Sequence, residues 1–270
     1  MLTSKENVRD FWEEAACGER LYLESDSMEG FRKQAETRYA LEPYIIPFAD
    51  FEAARGKRVL EIGVGLGADH QRFAEAGAIL AGVDLTPRAI EMTRRRFENL
   101  GLRSDLKVGD AENLDFPDNS FDVVYSWGVI HHTPDTQGAA HEIFRVLKPG
   151  GVAKVMIYHR YSIVGFMLWL RYALLVGRPF VSLDAIYAKY VESPGTKAYS
   201  EAETRKLFRQ FENASISIQL SHGDLLTSQA GQHHRGLLLH IARKIWPRWL
   251  LSRLCRRNGL CMLIQGTKPV

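Results

Sequence analysis

The chain has 270 residues, of which 46% are hydrophobic and 25% charged, enough to bury a sizeable core in one large domain with elaborations. The longest apolar stretch, "IVGFMLWLRYALLV" (163–176), has Arg171 inside it and falls short of the roughly 20 residues a membrane-crossing helix needs. The net charge of +3 is uneven: no acid follows Asp224 and eight basic residues do, which leaves residues 1–224 at −5.

The polar start, "MLTSKENVRDFWEE", leads us to expect no secretory signal. Cys17, Cys255 and Cys261 lack CxxC spacing. That pattern suits reduced thiols in a cytoplasm and offers no metal set.

Residues 1–55 read as helices. "SKENVRDFWEEAA" has polar caps, and "MEGFRKQAETRYALEPYI" runs until Pro43 interrupts it. From residue 56 a strand, a glycine turn and a helix recur. "KRVLEIGVG" is a strand, "ADHQRFAEAG" a helix and "AILAGVDL" the second strand. "TPRAIEMTRRRFENLG" has Thr86 to cap it, Pro87 at its first turn and Gly101 past its end.

"SDLKVGDAENL" holds a third strand and "SFDVVYSWGVI" a fourth. "DTQGAAHEIFRVLKPGG" is a helix with a sharp stop, and "VAKVMIYH" the fifth strand. Residues 161–199 look like an inserted helical segment. "SEAETRKLFRQFEN" carries a capping box from Ser200 and Glu203. "SISIQLS" and "LCMLIQG" complete seven strands.

This alternation predicts an α/β, doubly wound, Rossmann-like, mostly parallel sheet with helices on both faces and helical cap insertions. The expected division is an N-terminal helical cap, 1–55, and a main domain, 56–270, with insertions at about 161–199 and 227–258. Ligands of such sheets bind beyond the carboxyl ends of the strands, where the strand order switches.

Two parsings of "VLEIGVGLGADH" stand side by side. Gly63-x-Gly65-x-x-Ala68 fits a dinucleotide loop with Asp84 for a ribose. Glu61-x-Gly63-x-Gly65-x-Gly67 fits a loop for S-adenosylmethionine. Asp110, at the end of strand three, favours the second, because a carboxylate there can accept from an adenine amine while the Ala111 N–H faces the ring.

Four segments in order, "VLEIGVGLG", "GVDLTP", "GDAENLDFPDNSFDVVYSWGVIHHTPD" and "EIFRVLKPGG", resemble the class I S-adenosylmethionine-dependent methyltransferases. The match is to the type 11 group that includes the quinone C-methyltransferases, over roughly residues 56–160. The resemblance implies that Glu61, Gly63, Gly65 and Gly67 shape the loop around the methionyl and ribose moieties. Asp84 would take the ribose hydroxyls, with Leu85 against the adenine. Asp110 and Ala111 would hold the adenine edge, and Ser126 and Trp127 line the methionyl end.

Methyl transfer is an in-line displacement whose leaving group is already activated, so the protein mainly aligns the acceptor and excludes water. Candidate bases lie on loops leaving the sheet. His131 and His132 follow strand four, the pair carrying a structural, cofactor-side or catalytic role. His159, beside Tyr158 and Tyr161, follows strand five. Tyr22 and Tyr39 on the N-terminal helices would cap the site, with Tyr39 reaching toward the cofactor carboxylate. His222, Asp224, His233 and His234 read as a solvated loop rather than a metal site. Strand four ends in "YSWG", not an N/D-P-P-Y sequence, and the body is acidic. Both features argue against a nucleic-acid substrate.

The expected activity is methylation of a small molecule at oxygen or nitrogen. An alternative is a lipid or quinone acceptor met at a membrane surface, because "GLLLHIARKIWPRWLLSRLCRR" (236–257) is a basic amphipathic segment. A third reading is a non-catalytic S-adenosylmethionine-binding scaffold. The expected location is cytoplasmic, with peripheral membrane contact under the alternative.

Overall fold

A computed structural model describes residues 4–228 and 243–270. The cap consists of helices α1 (Lys5–Glu14), α2 (Glu19–Tyr22), α3 (Met28–Leu41) and α4 (Ile45–Ala49), closed by a 3-10 turn, Phe51–Ala54. The alternating part follows as β1 (Arg58–Ile62), α5 (Ala68–Glu75), β2 (Ile79–Asp84), α6 (Pro87–Leu100), β3 (Asp105–Val108), β4 (Phe121–Trp127), α7 (Thr136–Val146) and β5 (Leu147–Tyr158). Then come α8 (Ile163–Tyr172), α9 (Leu183–Tyr190), α10 (Glu201–Leu207), β6 (Glu212–Gln219), α11 (Arg248–Leu254) and β7 (Cys261–Thr267).

The seven strands form one sheet in the order β3-β2-β1-β4-β5-β7-β6, with β7 antiparallel to both neighbours. The order reverses between β1 and β4, which puts the binding crevice at their carboxyl ends. Local signals act as expected. The Thr86 hydroxyl accepts from Ala89 N–H, Gly101 ends α6 in the left-handed region, and Ser200 and Glu203 complete the box opening α10. One boundary differs: α7 ends at Val146, and Leu147 already pairs with Phe121 ahead of the Pro-Gly-Gly turn.

Both faces of the sheet are buried, and strand alternation sorts the side chains. Val59, Tyr125, Trp127, Met156 and Tyr158 join the core on the cap side. Leu60, Val124, Val155 and Ile157 join the core on the other side, against Ile143 of α7 and Phe208. That sorting decides which predicted residues can reach the site.

The expected insertion at 161–199 is helical, as α8 and α9. Of the expected segment 227–258, residues 229–242 lie outside the described residues, and with them His233 and His234. No helix among the described residues is long and apolar enough to cross a membrane.

Candidate active site

A cavity of about 390 Å³ opens over the carboxyl ends of β1, β2, β4 and β5, under the cap helices and α8. Its floor is the loop from Gly63 to Gly67. Gly63 has φ +81, and a Cβ there would stand 2.1 Å from Val129 Cγ2. Gly65 also has a positive φ, +53, yet a Cβ on it would meet nothing within 4 Å, so its bare backbone faces the open cavity. One glycine serves packing and the other serves access.

Asp84, at the tip of β2, braces this loop. Its Oδ2 accepts from Gly65 N–H at 3.1 Å, and its Oδ1 from Thr86 N–H at 3.1 Å and the Thr86 hydroxyl at 2.9 Å. Burial raises the Asp84 carboxyl above its ordinary range, and these donors work against the rise. Leu85, Asp110 and Ala111 also line the cavity. Asp110 is paired with Lys5 of α1, which reaches Glu112 as well at 2.6 Å.

Behind the loop, Glu61 is buried with its Oε2 2.8 Å from His70 Nδ1. Ser104 spends its hydroxyl hydrogen on Leu80 O, so it accepts from His70 Nε2–H, 2.8 Å away. A neutral imidazole then has a bare Nδ1, which accepts from a protonated Glu61. Burial works the same way, pushing Glu61 well up and His70 down to about 3.

Beside this pair sits Asp69, buried in the first turn of α5. Arg38 grips it with two bonds of 3.1 and 2.6 Å, Tyr39 donates at 3.0 Å and Tyr125 at 2.8 Å. Burial would raise Asp69, and Arg38 more than offsets that, holding it below the ordinary carboxylate range.

The far end of the cavity lies over β4, β5 and the start of β7. His132 and Tyr158 line it, with Trp12, Tyr22, Trp127 and Glu192. Ser193 Oγ and Thr196 Oγ1 stand 2.8 and 3.0 Å from His132 Nδ1. Thr196 donates its own hydrogen to Ser193 O at 2.6 Å, so it can only accept from Nδ1–H. That places the imidazole lone pair on Nε2. Nε2 lies 3.3 Å from Glu192 Oε2 but off line, and has no hydrogen-bond partner.

Glu192 accepts from the Tyr158 hydroxyl at 2.8 Å. Burial would raise its carboxyl, and the hydrogen bond from Tyr158 works against that rise. Its backbone has φ +50, rare for a side chain of this size.

Three predicted residues fall outside the cavity. His159 directly follows Tyr158, the last residue of β5, and takes the opposite face. It is buried, its Nδ1 donates to Gly259 O at 3.2 Å, and it does not line the cavity. Ser126 is turned away from Trp127 by the same alternation and is buried with its hydroxyl unpartnered. Tyr39 points at Asp69, and its predecessor Arg38 is on the wall instead.

Among the remaining candidates, His131 is sandwiched 4.2 Å from His132 and 4.1 Å from Tyr158 by ring centroids, with neither nitrogen bonded. His222 lines the cavity, whereas Asp224 is buried and binds the N–H groups of Val164, Ser221 and Leu260. No metal-binding cluster exists among the described residues.

Sequence reasoning missed Arg38, Tyr158 and Glu192. Tyr158 could have been found from the period-two pattern of β5. Glu192 precedes a Ser-Pro-Gly turn, and nothing local marks it as a wall residue.

Residues 60–155 match the family model described as a methyltransferase domain. The chain is 32% identical over 183 residues to a demethylmenaquinone methyltransferase of Tropheryma whipplei, covering 65% of this chain and 74% of that protein. It is 36% identical over 113 residues to phosphoethanolamine N-methyltransferase 2 of Caenorhabditis elegans, 41% of this chain and 25% of that one. In fold it is similar to a Haemonchus contortus phosphoethanolamine N-methyltransferase solved with S-adenosylhomocysteine, at TM-score 0.59 and 19% identity over 97% of this chain and 60% of that one. A Thermotoga maritima protein described as a possible histamine N-methyltransferase superposes at TM-score 0.54 with 21% identity, over 97% and 99% of the two chains. On this identity and coverage, the chain belongs to the class I S-adenosylmethionine-dependent methyltransferases, type 11, and is an enzyme whose methyl donor is S-adenosylmethionine.

Proposed function

We propose that the enzyme methylates an oxygen or nitrogen of a small-molecule acceptor held between the glycine loop and the His132–Glu192–Tyr158 group. The observation carrying this reading is the continuity of one cavity from Asp84 to His132. The wall fits a nucleoside bearing an amino-acid tail. Gly65 offers open backbone, and Asp84 uses three of about four carboxylate acceptor positions, leaving capacity for a ribose hydroxyl.

Leu85 and Ala111 offer an apolar slot beside Asp110 for a flat base. Arg38 and Glu61 line the loop end of the same cavity, Arg38 bound to Asp69 and Glu61 to His70. S-adenosylmethionine supplies, when bound, a methyl group already activated on a sulfonium centre.

The chain's own task is then to align the acceptor, remove its proton and keep water out. His132 is the base, because its Nε2 is bare and its Nδ1–H is anchored. Tyr22 and Trp12 close the cavity from the cap, and Tyr158 fixes the Glu192 carboxylate. The test is transfer from methyl-labelled S-adenosylmethionine into an extract, with the product split into organic, aqueous and macromolecular fractions. Label confined to macromolecules rejects the reading.

A second reading, a lipid or quinone acceptor met at a membrane surface, has one specific observation in its favour. Val164 and Leu168 of α8 line the cavity, while Phe166 and Leu170 of the same helix are 47% and 45% exposed. A helix apolar on both sides suits a lid between a bilayer and a site. Label in the organic fraction supports this version.

A further inference from the structure

We infer that the acceptor carries an ammonium group, and that Glu192 with His132 selects it; this rests on the reading above and narrows it to amine acceptors. At the far end of the cavity Glu192 has one donor, the Tyr158 hydroxyl, and His132 Nε2 has none. His132 is 5% exposed, its Nε2 bears a lone pair with no partner, and the Glu192 carboxylate stands 3.3 Å from it. Two acceptors that close repel unless they share a donor group, and an ammonium brings three N–H donors to one point. An alcohol brings a single hydrogen and satisfies one of the two.

The charges on the wall point the same way. Six acidic side chains line the cavity (Glu42, Glu61, Asp69, Asp84, Asp110, Glu192), Glu61 of them protonated against His70, beside two cations, Lys5 and Arg38. Lys5 is bound to Asp110 and Glu112, and Arg38 to Asp69, with Glu42 at 3.6 Å. No cation among the described lining residues remains free to take an acidic acceptor. Trp12 and Tyr22 on the same wall add aromatic rings, which attract a cation.

The backbone adds an independent sign. Glu192 occupies the left-handed region at φ +50, a conformation that costs a non-glycine residue of order 1 kcal/mol and clusters at functional sites. The 192–196 turn supplies Glu192 to one side of the His132 ring and Ser193 and Thr196 to the other. One turn therefore sets both the charge and the tautomer of the acceptor site. In transfer, the ammonium gives one proton to His132 Nε2, the freed nitrogen pair forms the N–C bond, and the C–S pair leaves on sulfur.

The experiment uses three probes of one shape, 2-phenylethylamine, 2-phenylethanol and 3-phenylpropionate, titrated by calorimetry into the full-length protein saturated with S-adenosylhomocysteine. The amine is expected to bind at least about tenfold tighter than either of the others. Glu192→Gln should erase that preference while S-adenosylhomocysteine affinity stays within about twofold. Glu192→Asn is the companion variant, because asparagine tolerates the left-handed backbone and keeps the fold in hand.

Equal or tighter binding of the alcohol or the acid by the unmodified protein overturns the inference. So does an amine preference that survives both variants. Failure of the protein to bind S-adenosylhomocysteine at all would instead strike the reading of the cavity beneath it.

Discussion

At the β1–β2 end of the cavity, Asp84 and Glu61 are braced by near neighbours in the chain, whereas Asp69 and Asp110 are held from farther off by Arg38 and Lys5. Asp84 is held by Thr86, two residues on, and by Gly65, nineteen residues back. His70 meets Glu61 across nine positions. At the β5–β7 end, the groups that matter come from afar. His132 is anchored by Ser193 and Thr196, 61 and 64 positions away, and Glu192 by Tyr158 across 34. The first end is where we propose the methyl donor binds, and it can be written as a short motif. The second end is where we propose the acceptor binds, and it is built with the segment that carries α8 and α9.

The sharpest way to break this contrast is at Gly63. Alanine there must adopt φ +81 and force its Cβ to 2.1 Å from Val129. Strain and overpacking together should cost about 2–5 kcal/mol. Gly63→Ala should therefore lower the melting temperature and weaken S-adenosylmethionine binding at least about a hundredfold by calorimetry. An unchanged melting curve and affinity would show that the loop is not rigid at this point. Asp84→Ala, which unlatches Gly65 and Thr86 together, should act in the same direction but less, about ten- to a hundredfold in affinity.

His132 and His159 separate the two ends by chemistry. His132→Ala should reduce turnover by about 10²–10⁴ with little change in cofactor affinity, the ordinary effect of losing a positioned base. His159→Ala should leave turnover within about twofold, since its ring lies off the cavity. A comparable fall in both variants would collapse the distinction drawn from strand alternation.

Those outcomes bear on what the sequence made legible. The sheet, the glycine loop, Asp84 and Asp110 were readable because each follows from a local rule: a period, a cap or a turn that fixes position within a few residues. His159 misled because the chain position that suggests a substrate-side loop says nothing of which face the side chain takes. Counting alternation back from Trp127 and Met156 corrects it and also finds Tyr158. Glu192 and Arg38 have no such rule. Their presence on the wall depends on how α3 and the 190–196 turn pack on the sheet, a tertiary fact with no periodic trace.

A smaller effect tests the seam between the ends. Burial holds the His131 imidazole neutral, far below its ordinary pKa, with His132 and Lys197 adding to the same trend. A depressed histidine pKa means that the unfolded chain binds more protons, so stability is full above about pH 6.5 and falls as pH drops below it. Between pH 8 and pH 5 this one residue should cost up to about 2 kcal/mol, by 1.36 kcal/mol per unit below the unfolded pKa. His131→Phe keeps a ring between His132 and Tyr158 and loses no hydrogen bond. Denaturant midpoints of the variant should lose that part of their acid dependence. An identical slope in both proteins would mean that His131 is charged or solvated in the fold.

The weakest expected effect concerns how an acceptor reaches the far end. Phe166 and Leu170 on the outer side of α8, Phe180 at 99% exposure, and Trp249 and Leu254 of α11 leave apolar surface in solvent. Residues 243–258 add six basic side chains and no acid. Arg243 and Arg248 are spent on carbonyl groups, whereas Arg253, Arg256 and Arg257 are exposed. Each exposed arginine near an anionic bilayer contributes about 1 kcal/mol, screened by salt. Replacing these three with glutamine should therefore reduce co-sedimentation with phosphatidylglycerol vesicles by more than tenfold, and leave transfer to a water-soluble acceptor unchanged. Phe166→Ser should lower vesicle binding only a few-fold. If the unmodified protein stays in the supernatant at low salt, the apolar outer side of α8 has some other cover, and the acceptor reaches His132 from water.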